Sequence, residues 1–251
     1  MVIERLWLDA TLTDVNSKVP SRFHGMRFAS RASCKFWHMD EAVKYAAASG
    51  GVLQSVAEAA AIRVDNPIGS PLEVIDVSGD QLTRTFPLYF MADGKWQVAV
   101  SDSADFADNL VLVRSAEARK EFAHGRMWTL RQSDNLVKKL LKLSEKEGRV
   151  FELPVDRQPY AVAHAAMGAD SIAKGFFGDI SSAYGNFLAE NNHESCNFYF
   201  PTIGLQQISR GMVGVRPVRF GNDNVNASSW IGIGLKLGYA RSAAVAKNFS
   251  P

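Results

Sequence analysis

Residues 228–241 of this 251-residue chain set Gly232, Gly234 and Gly238 around two cations, Lys236 and Arg241. Without a Cβ, such backbone comes close to a partner and reaches positive φ, and the cations suit a partner that carries phosphate. Charge is concentrated here: residues 201–251 hold Arg210, Arg216, Arg219, Lys236, Arg241 and Lys247 against Asp223 alone, in a chain of formal net charge +2. The spacing is not a dinucleotide fingerprint, which opens a βαβ unit, because residues 239–251 hold no crossover helix and strand. A Walker loop would need a glycine-lysine-hydroxyl terminus that is missing. Two readings remain, a cradle for an RNA backbone and a tight turn between two final strands.

A second stretch, residues 21–31, interleaves Arg22, Arg27 and Arg31 with Phe23 and Phe28, and Lys35 follows. Arg and Lys neutralise phosphates while aromatic faces accept unstacked bases. His24 sits among them. An imidazole can exchange a proton near neutrality, which makes His24 the candidate general acid or base among the histidines at 24, 38, 124, 164 and 193; an ordinary surface histidine is the other reading. Nucleophilic chemistry is not supported: no Gly-x-Ser-x-Gly elbow occurs. Cys34 and Cys196 stand far apart and read as small buried hydrophobes. His193, Glu194 and Cys196 lie close in sequence, but no second cluster has ligand spacing. Neither a metal nor another cofactor is expected.

These residues need a scaffold. With 47% apolar and 22% charged residues the chain can bury a full core. It has no apolar run of bilayer-spanning length and no cationic start followed by an apolar stretch, so a cytoplasmic protein that does not enter a membrane is expected. The charge alternates along the chain. Residues 18–44 are basic, residues 64–108 carry eight acids against Arg84 and Lys95, and residues 109–149 carry ten cations against five acids. One face built for a polyanion would explain this, as would ordinary solvated charge. The carboxylates of the acidic stretch read as solvated surface.

Residues 4–12 alternate with the period of a half-buried strand. Residues 40–62 are alanine-rich with helical spacing, interrupted at Gly50-Gly51. Strands are expected at 73–77, 85–91 and 96–100, the last two joined by an Asp93-Gly94 hairpin turn. Helices are expected at 115–123 and 133–147, the latter opened by Ser133, stopped by Gly148 and basic along one flank. A strand at 149–153, helices at 161–168 and 180–190, and strands at 197–200 and 212–220 complete an α+β order.

A strand-first α+β chain with a histidine and arginines soon after its first strand, and a glycine segment bearing Lys and Arg, resembles the RAMP superfamily of CRISPR proteins. Within it, the chain is most similar to the crRNA-processing endoribonucleases of type IV systems. The resemblance implies an α+β, ferredoxin-like (RRM-type) core with a second degenerate half and a helical insertion. It divides the chain into an RRM-like half at 1–108, a basic helical insertion at 109–148 and a C-terminal half at 149–251. It also implies metal-independent cleavage of a CRISPR repeat hairpin: the ribose 2′-hydroxyl attacks the phosphorus, the 5′-oxygen leaves, and a cyclic phosphate results. His24 would take the proton, and Arg22 and Arg241 would stabilise phosphoryl charge. The RNA would be held by Arg27, Arg31, Lys35, Arg126, Arg131, Lys138, Lys139, Lys142, Arg210, Arg216, Arg219 and Lys236, with Gly232, Gly234 and Gly238 admitting its backbone. Partners would be repeat and guide RNA and other CRISPR effector subunits. The alternatives are a non-catalytic RNA-binding subunit of such a ribonucleoprotein and a plasmid- or phage-encoded DNA-binding protein.

Overall fold

A computed structural model describes residues 19–24, 51–65, 81–103, 121, 127–156, 158–201, 204–221, 223–227 and 244–246. In chain order its elements are β1 (Gly51–Leu53), α1 (Val56–Asp65), β2 (Gln81–Leu82), β3 (Phe86–Ala92), β4 (Lys95–Ser101), β5 (Trp128–Arg131), α2 (Asn135–Lys146), β6 (Val150–Glu152) and β7 (Tyr160–Ala163). There follow α3 (Ser171–Phe177), α4 (Ser181–Glu190), β8 (Ser195–Tyr199), β9 (Met212–Val215), β10 (Arg219–Phe220), β11 (Asn224–Asn226) and β12 (Ala244–Ala246). The expected elements at 4–12, 73–77 and most of 115–123 lie outside the described residues, as does the glycine segment.

The β3–β4 hairpin has the turn that its sequence demands. Ala92 pairs with Lys95, leaving the two-residue loop Asp93-Gly94 with φ of 50° and 76°, and positive φ at both positions is what a type I′ turn requires. Around this hairpin a five-stranded sheet forms in the order β5-β9-β3-β4-β6. It takes strands from each of the expected segments 1–108, 109–148 and 149–251. A second sheet runs β2-β10-β11-β8-β7, antiparallel except where β11 lies parallel to β8. β1 pairs separately with β12.

This corrects the ferredoxin-like, RRM-type RAMP core. Such a core is one sheet built from two βαβ halves, whereas here two five-stranded sheets share the chain and neither is laid down as β-α-β-β-α-β. Two local expectations change as well. Residues 161–168 form β7 and a one-turn helix at His164–Ala166, because Tyr160 to Ala163 pair with β8. Where one kinked helix or two short ones were expected over 40–62, Gly51 begins strand β1 and the helix α1 starts only at Val56, after Gln54 and Ser55.

α1 is alanine-rich and buried nearly all round, the pattern of a helix enclosed by its neighbours. α3 fills the space between the sheets. Its Phe176 lies 6.1 Å from Phe151 of β6 in one sheet and 5.7 Å from Phe198 of β8 in the other, and Phe177 stacks on Tyr184 of α4 at 4.8 Å. Each buried ring contributes about 1.5–3 kcal/mol. Asp170 starts this helix by accepting the N–H groups of Ile172 and Ala173, each at 2.9 Å.

α4 approaches the His164–Ala166 turn closely because Gly185 has no side chain: a Cβ there would overlap the His164 carbonyl oxygen and come within 3.0 Å of Met167 Cβ. Gly185→Ala should therefore lower stability by about 1–3 kcal/mol in urea denaturation. In an exposed helix the same change would raise it by up to about 1 kcal/mol, and a stabilised variant would show that the two backbones are not in contact.

Candidate functional site

A cleft of about 470 Å³ opens between the N-terminus of α1, the end of β4, the C-terminus of α2 and the turn at Gly178-Asp179. Its walls are charged. Ser55 and Glu58 form a capping box at the start of α1: Glu58 N–H donates to Ser55 Oγ at 3.2 Å, and Ser55 N–H donates to Glu58 Oε2 at 2.7 Å. The same carboxylate accepts Arg84 Nη1 and Nη2, both at 2.6 Å, in the bidentate form that gives Arg–carboxylate pairs their directionality. Arg84 Nε donates onward to the Asp102 carbonyl at 3.1 Å.

Asp102 sits at the centre. Thr85 Oγ1 donates to its Oδ1 at 2.5 Å while accepting the Val56 N–H at 2.9 Å, and Arg149 Nη1 lies 2.7 Å from its Oδ2. Arg149 is delivered there by the end of α2. Gly148 takes φ of 66°, its N–H bonds the Glu145 carbonyl, and the Arg149 N–H bonds the Ser144 carbonyl at 2.8 Å, which is a Schellman stop. Arg149 Nε then donates to the Gly175 carbonyl of α3 at 2.8 Å. Its Nη2 is buried without a hydrogen-bond partner, and Glu147 Oε2 reaches only to 3.7 Å from Nη1.

Burial opposes the Asp102 charge, but the Arg149 guanidinium, hydrogen bonds from Arg149 and Thr85, and the nearby Arg84 outweigh it, holding the carboxyl below the usual carboxylate range. On Arg149 burial acts to lower the pKa, and Asp102 together with Glu147 raises it instead. These groups are occupied with one another, so the cleft presents a rigid polar wall and no poised base or nucleophile among the described residues.

Arg22, expected to stabilise charge, stands at the mouth of this cleft in the Ser21–Phe23 turn. Its Nε lies 2.9 and 3.1 Å from the two Asp179 oxygens and its Nη2 2.5 Å from Oδ1, so its charge is already matched. His24 directs Nε2 to the Val19 carbonyl at 3.1 Å. Arg131, Lys138, Lys139, Lys142 and Arg210 are exposed and Arg219 is half-buried. Arg216 is a correction: it is 5% exposed, burial pushes its pKa down, and it is enclosed where an RNA anchor must face solvent. Arg241, Arg27, Arg31, Lys35, Arg126, Gly232, Gly234, Lys236 and Gly238 lie outside the described residues. Cys196 is buried and burial pushes its thiol up, which makes it a poor nucleophile.

The sequence reading missed Glu58, Arg84, Asp102 and Arg149. Ser55-x-x-Glu58 was a visible capping signal, whereas the solvated reading of the acidic stretch fails at Asp102, which folds inward against Arg149. Among the described residues no group of His, Cys, Asp and Glu could hold a metal ion, and no helix is long and apolar enough to cross a membrane.

No protein-family model matches the chain, and no curated protein does. Among solved structures the chain is similar to one of the C-type lectin fold, which overturns the ferredoxin-like expectation. That structure concerns the accommodation of massive sequence variation in Nanoarchaeota by the C-type lectin fold; the match covers 86% of this chain and 100% of the other, with a TM-score of 0.58 and 13% identity. At that identity the likeness shows the fold alone.

Removing the central carboxylate should be costly. Because the folded pKa of Asp102 is depressed, its contribution is complete above the unfolded carboxylate pKa of about 4 and is lost as pH falls through the folded value. Asp102→Asn should cost about 3 kcal/mol at pH 7 and flatten the acid limb of the stability profile. Equal losses from the wild type and the variant between pH 5 and pH 2 would mean that Asp102 is not what acid titrates.

Proposed function

We infer that this protein is a non-catalytic binding module, which recognises a macromolecular partner through surface side chains held on a C-type lectin scaffold. The likeness to a solved C-type lectin fold over 86% of the chain carries this reading. The neighbouring structure accommodates massive sequence variation on that fold, and a scaffold of that kind separates residues that fold from residues that recognise. Here, too, the charged groups of the cleft are spent on one another, and Arg22 and His24 are engaged within the protein. That arrangement suits recognition better than turnover.

A second reading, RNA processing or RNA binding beside CRISPR effector subunits, is favoured by one observation: α2 turns Lys138, Lys139 and Lys142 to solvent. The two readings part at the chemistry. Incubated with a labelled repeat hairpin in EDTA, the protein should yield no defined fragment, and Arg22→Ala and His24→Ala should change nothing in that assay. A discrete product ending in a cyclic phosphate, absent when the attacking hydroxyl is 2′-deoxy, would overturn the binding-module reading in favour of the nuclease.

A further inference from the structure

α2 has one side that the fold uses and one that it leaves open. Val137, Leu140 and Ser144 are buried, and Ser144 Oγ donates to the Val100 carbonyl of β4 at 3.0 Å. The opposite side carries Lys138, Lys139, Lys142 and Lys146, all exposed. Lys138, Lys142 and Lys146 follow at four-residue intervals, so they rise in a row with about 6 Å between successive members, and Lys139 stands beside it. Among the described residues none of the four side chains has an ion-pair or hydrogen-bond partner. Like charges four residues apart repel along a helix. The acids of the helix and its caps are Asp134, Glu145 and Glu147, the last reaching to 3.7 Å from Arg149 Nη1.

A further cation precedes the helix. Exposed Arg131 ends β5 and leads into α2 through a turn closed by the Asp134 N–H on the Arg131 carbonyl at 3.1 Å. Ser133 and Asn135, exposed between them, supply neutral donors of the kind that meet phosphate and sugar oxygens.

We propose that the outer face of α2, with Arg131 at its head, is a docking surface for the phosphate backbone of a nucleic acid. This builds on the binding-module reading and names a partner class for it. An evenly spaced row of unpaired ammonium groups complements a regular chain of charges better than the scattered carboxylates of a protein surface. A bilayer surface fits less well, because the apolar side of the helix is committed to β4 and only Leu143, 41% exposed, stands clear.

The test is the salt dependence of binding. Fluorescence anisotropy with a short labelled single-stranded RNA, and with DNA of the same sequence, would be read over a series of salt concentrations. The variants are the triple change Lys138→Glu, Lys139→Glu and Lys142→Glu, its neutral counterpart with Gln at all three positions, and a control, Lys174→Glu, at an exposed position of the otherwise buried α3. Each lost phosphate contact removes about 0.7 from the slope of log K against log salt on a single strand. The Gln variant should therefore lose about 2 units of slope, the Glu variant at least as much, and the control nothing, with helical content unchanged by circular dichroism. Should the Glu variant fail to fold, the Gln variant carries the test. Equal slopes in the Gln variant and wild type, or no binding to either nucleic acid, with or without binding to anionic phospholipid vesicles, would overturn the proposal and leave the binding-module reading standing. RNA cleavage would overturn that reading without touching the lysine effect.

Discussion

The interaction on which the described structure turns is the ion pair between Asp102 and Arg149. Each partner comes from the end of an element: Asp102 follows β4, and Arg149 follows the Schellman stop of α2. Asp102 reaches α1 through its carboxylate by way of Thr85 and through its backbone carbonyl by way of Arg84, and through the Gly175 carbonyl the guanidinium reaches α3. Four segments distant in sequence are thereby fixed around one cleft. Charges so placed are expensive to desolvate, and replacing such a pair with apolar groups is often neutral. Their value is directional. A bidentate pair and a short hydroxyl bond specify angles that leucine contacts leave open.

Packing supplies the bulk of the attraction. The aromatic pair Phe176-Phe177 touches both sheets, so that α3 acts as the common wall of the core. Arg63 enters this wall from α1, 4.0 Å from the Phe220 ring centroid, and donates to the Gly221 carbonyl and to Tyr184 Oη. A buried guanidinium is tolerable there because the ring face and the oxygens replace the water it has lost.

What could be read from sequence follows from how local each determinant is. The Asp93-Gly94 turn, the Gly148 stop and the lysine flank of α2 were legible because turn type, helix termination and amphipathicity depend on neighbours a few residues away. Tyr160 to Ala163 misled, since an alanine-rich run becomes a strand only through pairing with β8, more than thirty residues further on. The cleft was hidden for the same reason. Asp102 lies among acids that mark an ordinary surface, and only the arrival of Arg149 turns it inward. Arg216 shows the converse: a cation in a basic stretch reads as a ligand contact until the fold buries it within the β9–β10 connection.

These two uses of charge explain why the candidate site and the docking surface are separate. In the cleft every guanidinium has a carboxylate within the protein, so an incoming anion would have to break a pair before it could bind, and an exposed pair such as Arg22 with Asp179 gives up little while still screening the arginine. On α2 the exposed ammonium groups have no ion-pair partner among the described residues, and counterions released on their neutralisation would favour binding. A polyanion docked on the helix surface, as proposed, would leave the interior pairs intact, and the cleft network holds the start of β6, and with it the end of α2, in one position against β4.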